Sequence, residues 1–278
     1  MKTSKEFSLL AAAGVFLLSA GISAPAISAP VFEVTPSAIG SASDPFESTF
    51  VSGQASTLVT LDDAGIQTGI GVIDFGSFSN PTGGSWTAGQ IGLGVDWYLW
   101  ATYEFTAEVV SGVFGQPGSV SDILTLEYTI WAAPEQATFT NASVDPNVVA
   151  SVIDPAGTEA IGGGSLLSGV GGAAINAQGG SAFNSVATYE NTAFGNTFFT
   201  APVPFYNVSF NEFNNTAQGV VISQDGRAIA INQASGGIDF NTMEVPEPGV
   251  MALFGLGLIG LAMAVRRKPH LGARLGQC

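Results

Sequence analysis

The 278-residue chain has one cysteine, Cys278, and one histidine, His270, both within its last nine residues. The body of the chain therefore has no disulfide and no thiol-ligated metal. Serine or cysteine nucleophiles that rely on a histidine base are excluded there, as is histidine-held zinc or iron. Basic residues are almost as scarce, with seven Lys and Arg against 22 Asp and Glu. Lys2 and Lys5 stand at the start and Arg266, Arg267, Lys268 and Arg274 at the end, leaving Arg227 alone between them. Lysine Schiff-base chemistry and a phosphate-cradling G-K-[ST] loop have no residue to use. All the acids except Glu6 fall between the two basic ends, which gives that stretch a net charge of about −20. Such a surface repels nucleic acid and anionic headgroups and stays dispersed by self-repulsion. It meets another polyanion only through divalent cations or through uncharged sugars.

What is present is β-structure. Between Pro30 and Val245 the chain is long enough for one large domain, and few segments have helical period. From Val95 to Val110 the residues alternate. Val95, Trp97, Leu99, Ala101, Tyr103, Phe105, Ala107 and Val109 take one face; Asp96, Tyr98, Trp100, Thr102, Glu104, Thr106 and Glu108 take the other. Asp122 to Ala132 repeats the pattern, with Leu124, Leu126, Tyr128 and Ile130 inward and Thr125, Glu127, Thr129 and Trp131 outward. Gln116-Pro117-Gly118 is a turn signal, so the two strands are expected to pair as a hairpin. Val220–Ser223 and Ala228–Asn232 flank Asp225-Gly226, a hairpin turn. Thr57–Leu61, Gly71–Phe78 and Phe205–Phe213 supply further strands. The expected fold is all-β, a two-layer antiparallel sandwich of jelly-roll type. Ile161 to Ser181 carries eight glycines in 21 residues and reads as a long flexible loop or edge excursion.

Two terminal segments frame this body. Lys2 and Lys5 precede a short apolar run, Leu9–Ala20, and small residues follow through Ala26 and Ser28. That is the pattern of a secretory signal peptide over residues 1–28. Near the other end, Gly249–Val265 is uncharged and mostly apolar, about 26 Å long as a helix at ~1.5 Å per residue, and is expected to cross the membrane. Pro246-Glu247-Pro248 precedes it and Arg266-Arg267-Lys268 follows it, which holds that end and the tail 269–278 in the cytoplasm. Gly255, Gly257 and Gly260 spell a dinucleotide-loop motif. No strand precedes them and no acid follows Glu247, so they read as membrane-helix glycines.

A Pro-Glu-Pro signature, one short apolar helix and an Arg-rich end, in that order at residues 246–268, resemble the PEP-CTERM sorting signal of Gram-negative bacteria. The resemblance implies processing near Pro246, Glu247 and Pro248 by an exosortase-type membrane protease, after passage through the Sec export machinery. The inner membrane would then hold the chain only transiently, before it reaches the cell surface or extracellular matrix. The start M-K-T-S-K-E-F-S-L-L-A-A-A and Pro36–Gly40 are also similar to the flocculation-associated branch of such proteins. The expected exported domain, residues 29–245, is thus a non-enzymatic matrix protein that promotes cell aggregation or floc formation with exopolysaccharide.

Binding residues follow from the polar faces of the two best strands. Tyr98, Trp100 and Trp131 lie among Asp96, Glu104 and Glu127, a platform suited to stacking sugar rings and bonding their hydroxyls; a second layer covering the rings is the competing reading. Glu104, Glu108 and Glu127 also admit an alternative, a secreted glycoside hydrolase working with a carboxylate pair. Asp62, Asp63, Asp74 and Asp225 offer oxygens to calcium, but no EF-hand or nonapeptide repeat is present. Asn141, Asn207 and Asn214 begin N-glycosylation sequons that are expected to stay bare in a bacterial protein. No catalytic residue, metal ligand or cofactor is assigned.

Overall fold

The structure, a computed structural model, describes residues 30–145, 148–214 and 219–242. The signal peptide, the sorting segment 246–268 with its membrane run, and the tail 269–278 lie outside the described residues.

Eight strands carry the fold: β3 (Phe50–Leu61), β4 (Ile66–Ser79), β5 (Tyr98–Ser111), β6 (Val120–Ala133), β9 (Glu159–Ile175), β10 (Ser181–Thr188), β13 (Val208–Asn214) and β15 (Ala228–Asn241). Each pairs antiparallel with the next of these eight along the chain, and β15 returns to pair with β3, from Ala228↔Thr60 to Ile238↔Val51. The ladder closes on itself. The molecule is an up-and-down barrel, and the sandwich expected from the sequence is corrected. Alternation in a strand says that one face is buried; it does not say whether that face meets a second sheet or the far wall of its own. Here the sheet curls because bulges and glycines bend it, with register shifts at Ser52/Gly53, Thr106/Ala107, Val109/Ser111 and Ile231/Ala234. Eight strands leave an interior that side chains can fill.

The best predicted hairpin is present as β5–β6, with two local corrections. Ala107 faces Ile123 and Thr106 faces Thr125, so Leu124 is the extra residue of a bulge and is 45% exposed rather than inward. The strand begins at Tyr98, and Val95, in the turn before it, is 62% exposed. The Gly-rich segment is also corrected: most of it belongs to β9, the longest strand, which pairs with both β6 and β10. Its glycines serve close approach. A Cβ on Gly163 would stand 2.2 Å from the Tyr128 carbonyl oxygen, and one on Gly164 1.9 Å from that of Thr188.

The excursions between barrel strands make the rest. β7 (Thr138–Thr140) and β8 (Ser151–Ile153) pair between β6 and β9; β14 (Val220–Ile222) pairs with β15 across a loop containing Asp225 and Gly226. A three-stranded sheet of β1 (Phe32–Val34), β2 (Phe46–Ser48) and β12 (Phe199–Ala201) closes one end of the barrel. Its plug is aromatic. Phe32 meets Phe240 at 5.2 Å, Phe199 at 5.6 Å, and Phe78 and Phe205 at 6.3 Å, while buried Trp97 donates its indole N–H to the Ile91 carbonyl at 2.6 Å. Both chain termini of the barrel lie at this end: the Tyr206 hydroxyl donates to the Val31 carbonyl at 2.8 Å, and the Asn207 amide to that of Asn241 at 3.2 Å.

Mid-barrel, polar groups are threaded through the packing. The Tyr128 hydroxyl bonds Ser209 Oγ at 2.7 Å and the Thr188 carbonyl at 3.1 Å, and the Tyr103 hydroxyl bonds that of Thr57. Burial pushes the Tyr103 phenol up to about 12, against the lowering effect of its bond to Thr57. Burial raises Tyr128 and Tyr189 as well.

Candidate functional site

The outer faces of β5 and β6 carry a ladder of like residues, because alternation places every second residue outward and the register pairs them. Trp100 faces Trp131, Thr102 faces Thr129, Glu104 faces Glu127, Thr106 faces Thr125, and Glu108 faces Asp122. Two of these five rungs oppose carboxylates. Like charges directly across an antiparallel pair destabilise it. Arg227, the one basic side chain among the described residues, is engaged elsewhere, 2.7 Å from Asp63. The sheet itself therefore leaves the Glu104–Glu127 and Glu108–Asp122 repulsions uncompensated.

The segment between β6 and β9 folds back over one end of this ladder. Ala137, Phe139 and Val152 pack around Trp100, which is 0% exposed, so its ring lies under the excursion and not on an open platform. The Trp100 indole N–H is buried without a hydrogen-bond partner. Tyr98 and Trp131 remain half-buried, and the Trp131 indole N–H donates to Thr102 Oγ1 at 3.0 Å, which fixes the ring against the threonine rung. Of the three predicted sugar contacts, two keep exposed surface.

Beside the covered rings the same excursion leaves a groove of about 780 Å³. Its floor is Thr102, Glu104, Glu127 and Thr129, with Ile70 and Ser165 from the flanking strands, and its far wall is Ser151, Val152 and Asp154. The groove thus joins three carboxylates and several hydroxyls to short aliphatic patches. Asp154 and the threonine rungs were not singled out from the sequence; the outward period-two threonines between the glutamates were the available signal, but only the fold brings residues 151–154 over them.

The other acids do not converge. Asp62 Oδ1 accepts from the backbone N–H of Ala64 and Ile66 at 2.9 and 2.8 Å, and Asp63 holds Arg227. Asp225 accepts from Ser223 Oγ at 2.6 Å, which with the Arg227 backbone N–H lowers its pKa. Asp74 lies across from Trp100, where desolvation raises its pKa. Asn141 begins its sequon beside the groove excursion, Asn207 lies at the plugged end, and Asn214 ends β13.

Residues 244–268 match the family model described as the PEP-CTERM protein-sorting motif. The matched span contains Pro246, Glu247, Pro248, Arg266, Arg267 and Lys268, and it marks an exported protein that an exosortase sorts to the cell surface. No curated protein and no solved structure matches the chain.

Proposed function

We propose that the exported barrel is a non-enzymatic component of the cell surface or extracellular matrix that holds exopolysaccharide in the outer groove and promotes cell aggregation. The observation that carries this reading is the groove itself: paired carboxylates and hydroxyls beside a half-exposed indole, on an acidic protein delivered by a sorting motif. Carboxylates accept hydrogen bonds from sugar hydroxyls, threonine and serine hydroxyls both donate and accept, and Trp131 and Tyr98 offer ring surface for stacking. Trp100 contributes from beneath, as packing. A neutral or weakly charged glycan meets no repulsion there, and a polyanionic one is bridged by divalent cations between Glu104, Glu127 and its own carboxylates. The resemblance of the start M-K-T-S-K-E-F-S-L-L-A-A-A and of Pro36–Gly40 to the flocculation-associated branch is what the sequence adds to this reading. Sec export, transient inner-membrane anchoring and exosortase processing at Pro246-Glu247-Pro248 complete the route.

The test is a deletion strain and a groove variant. Loss of the gene is expected to disperse aggregated cells while polysaccharide synthesis continues, and Trp131→Ala with Tyr98→Ala to weaken retention of isolated exopolysaccharide by about tenfold, the equivalent of one or two lost stacking contacts. A deletion strain that aggregates normally refutes the reading.

One observation favours a second reading, a glycoside hydrolase: Glu104 and Glu127 face each other directly, as a retaining carboxylate pair requires. Both are exposed on a water-washed face, whereas a general acid is tuned by burial in an apolar pocket. Release of reducing ends from the polysaccharide, lost in Glu104→Gln and Glu127→Gln, would establish the hydrolase in place of the matrix role.

A further inference from the structure

At the end of the barrel opposite the plug, the interior is not filled. A cavity of about 70 Å³ lies there, and all eight barrel strands contribute to its wall. Its deep side is aromatic: Tyr103 stacks on Phe213 at 5.3 Å, Phe213 meets Phe183 at 5.1 Å, and Phe183 meets Phe105 at 5.2 Å. Val59, Ile229 and Ala234 complete the apolar surface, and Phe114, from the loop between β5 and β6, adds a ring at the mouth. None of the lining residues is charged.

Polar groups interrupt this surface at the bonded Thr57 and Tyr103 hydroxyls, at Ser119 and Ser181, and at the pair formed by Gln67 and Ser121. Gln67 and Ser121, each the second residue of its strand and so close to the open end, join over the inner face of β5, which lies between their strands, with Gln67 Nε2 donating to Ser121 Oγ at 2.8 Å. Gln67 is 4% exposed, and among the described residues nothing donates to its amide oxygen and nothing accepts the Ser121 hydroxyl hydrogen. Gln67 and Ser121 both line the cavity, so a group held there can donate to the one and accept from the other.

We propose that this cavity binds a small neutral alcohol or phenol, its hydrocarbon part against the Tyr103–Phe213 floor and its hydroxyl between Gln67 and Ser121. A hydroxyl donates to the amide oxygen and accepts from the serine at once. A carboxylate is rejected, because it brings acceptors to an acceptor and buries a charge with no cation in reach. A pure hydrocarbon fits the floor and leaves the Gln67 oxygen orphaned. The size limit is strict: a cavity of roughly 150 Å³ is what benzene occupies in an engineered apolar core, so a single ring already requires Phe114 to yield. Phe114 is placed to do so, between Gly112 and Gly115, both at positive φ (80° and 76°). This site lies inside the barrel and is independent of the outer groove and of the matrix role.

The experiment uses the protein recovered from producing cells and three matched probes, phenol, toluene and benzoate, followed by calorimetry and ligand-observed NMR. Phenol is expected to bind saturably, toluene at least about tenfold more weakly, since two neutral hydrogen bonds distinguish them, and benzoate not measurably. Gln67→Leu should abolish the preference of phenol over toluene while leaving toluene bound. Ala234→Leu, which fills the floor and leaves the polar pair intact, should abolish both, with near-UV circular dichroism confirming the fold of each variant. Equal affinity for phenol and toluene in the wild type, phenol binding that survives Ala234→Leu, or no saturable binding of any probe, as for a site holding water alone, overturns the proposal.

Discussion

Replacing Phe32 by alanine tests how much of the fold hangs on the aromatic plug. Phe32 is 1% exposed and its ring meets four other rings, those of Phe78, Phe199, Phe205 and Phe240. These neighbours come from four separate stretches of chain: the end of β4, the start of β12, the loop after it, and the end of β15. Burying a phenylalanine ring removes on the order of 150–200 Å² from water, or about 4–5 kcal/mol at 25 cal/mol per Å². Truncations of this kind cost about 3–5 kcal/mol when the surroundings relax only partly. The plug cannot collapse easily, because Phe78, Phe199 and Phe240 are each held in a separate strand, so the upper part of that range applies. A domain of ordinary stability has about 5–15 kcal/mol in total, so the loss is a large fraction of it. The assay is equilibrium urea unfolding followed by tryptophan fluorescence, with Phe32→Leu as the volume-conserving control, expected to cost less than about 1.5 kcal/mol. If Phe32→Ala shifts stability by less than about 1 kcal/mol, the plug is an ornament on an already closed barrel and the argument fails.

Three further outcomes follow from the same structure. Gly164→Ala, whose Cβ would stand 1.9 Å from the Thr188 carbonyl oxygen, must prise β9 from β10 and is expected to cost more than about 2 kcal/mol, measured by thermal unfolding. Glu104→Gln, which removes a like-charge rung opposite Glu127, should stabilise the protein by about 0.2–1 kcal/mol at low salt, with the gain shrinking as salt is added. Alkaline titration followed at the tyrosinate absorbance should show Tyr103 protonated past pH 11. Its folded pKa, about 12, lies above the ordinary value of 10.0, so the folded state keeps a proton that the unfolded state loses. Stability is therefore fully present below pH 10 and falls as pH rises from about 10 to 12, with Tyr128 and Tyr189 adding to the loss in the same direction. Full ionisation of all five tyrosines at pH 11 in protein that is still folded would contradict this.

The strands of the β5–β6 hairpin were legible in the sequence because a half-buried strand writes its burial as period two, and Tyr103, Phe105 and Tyr128 point inward as that period demands. Closure was not legible. The pairing of β15 with β3 joins residues about 170 positions apart, and no local pattern encodes it. The glycines of β9 misled for a related reason. Glycine marks flexibility in isolation, but beside Tyr128 and Thr188 it marks a strand pressed where a side chain has no room. At the outer face, the identities of Glu104, Glu127 and Trp131 were readable and their mutual register followed once the hairpin was correct. For Trp100 the competing reading of the sequence holds, since Ala137, Phe139 and Val152 cover it, and nothing in the short strands β7 and β8 announces where they will fold. The Gln67–Ser121 pair was invisible, since two polar residues 54 positions apart, on strands that do not pair with each other, meet only over the inner face of β5.

That both ends of the barrel chain leave from the plug gives the molecule a direction. From Thr242 to Pro246 the backbone can reach at most about 14 Å, at roughly 3.6 Å per residue, which is short beside a barrel whose 14-residue strands span on the order of 35 Å along a tilted axis. The sorting motif that follows Thr242 is therefore joined to the barrel at its aromatic end, and the mouth lies at the other. Sorting by an exosortase acts on the chain beyond the closed ladder, at the end away from the cavity, so the barrel's own pairings do not depend on it.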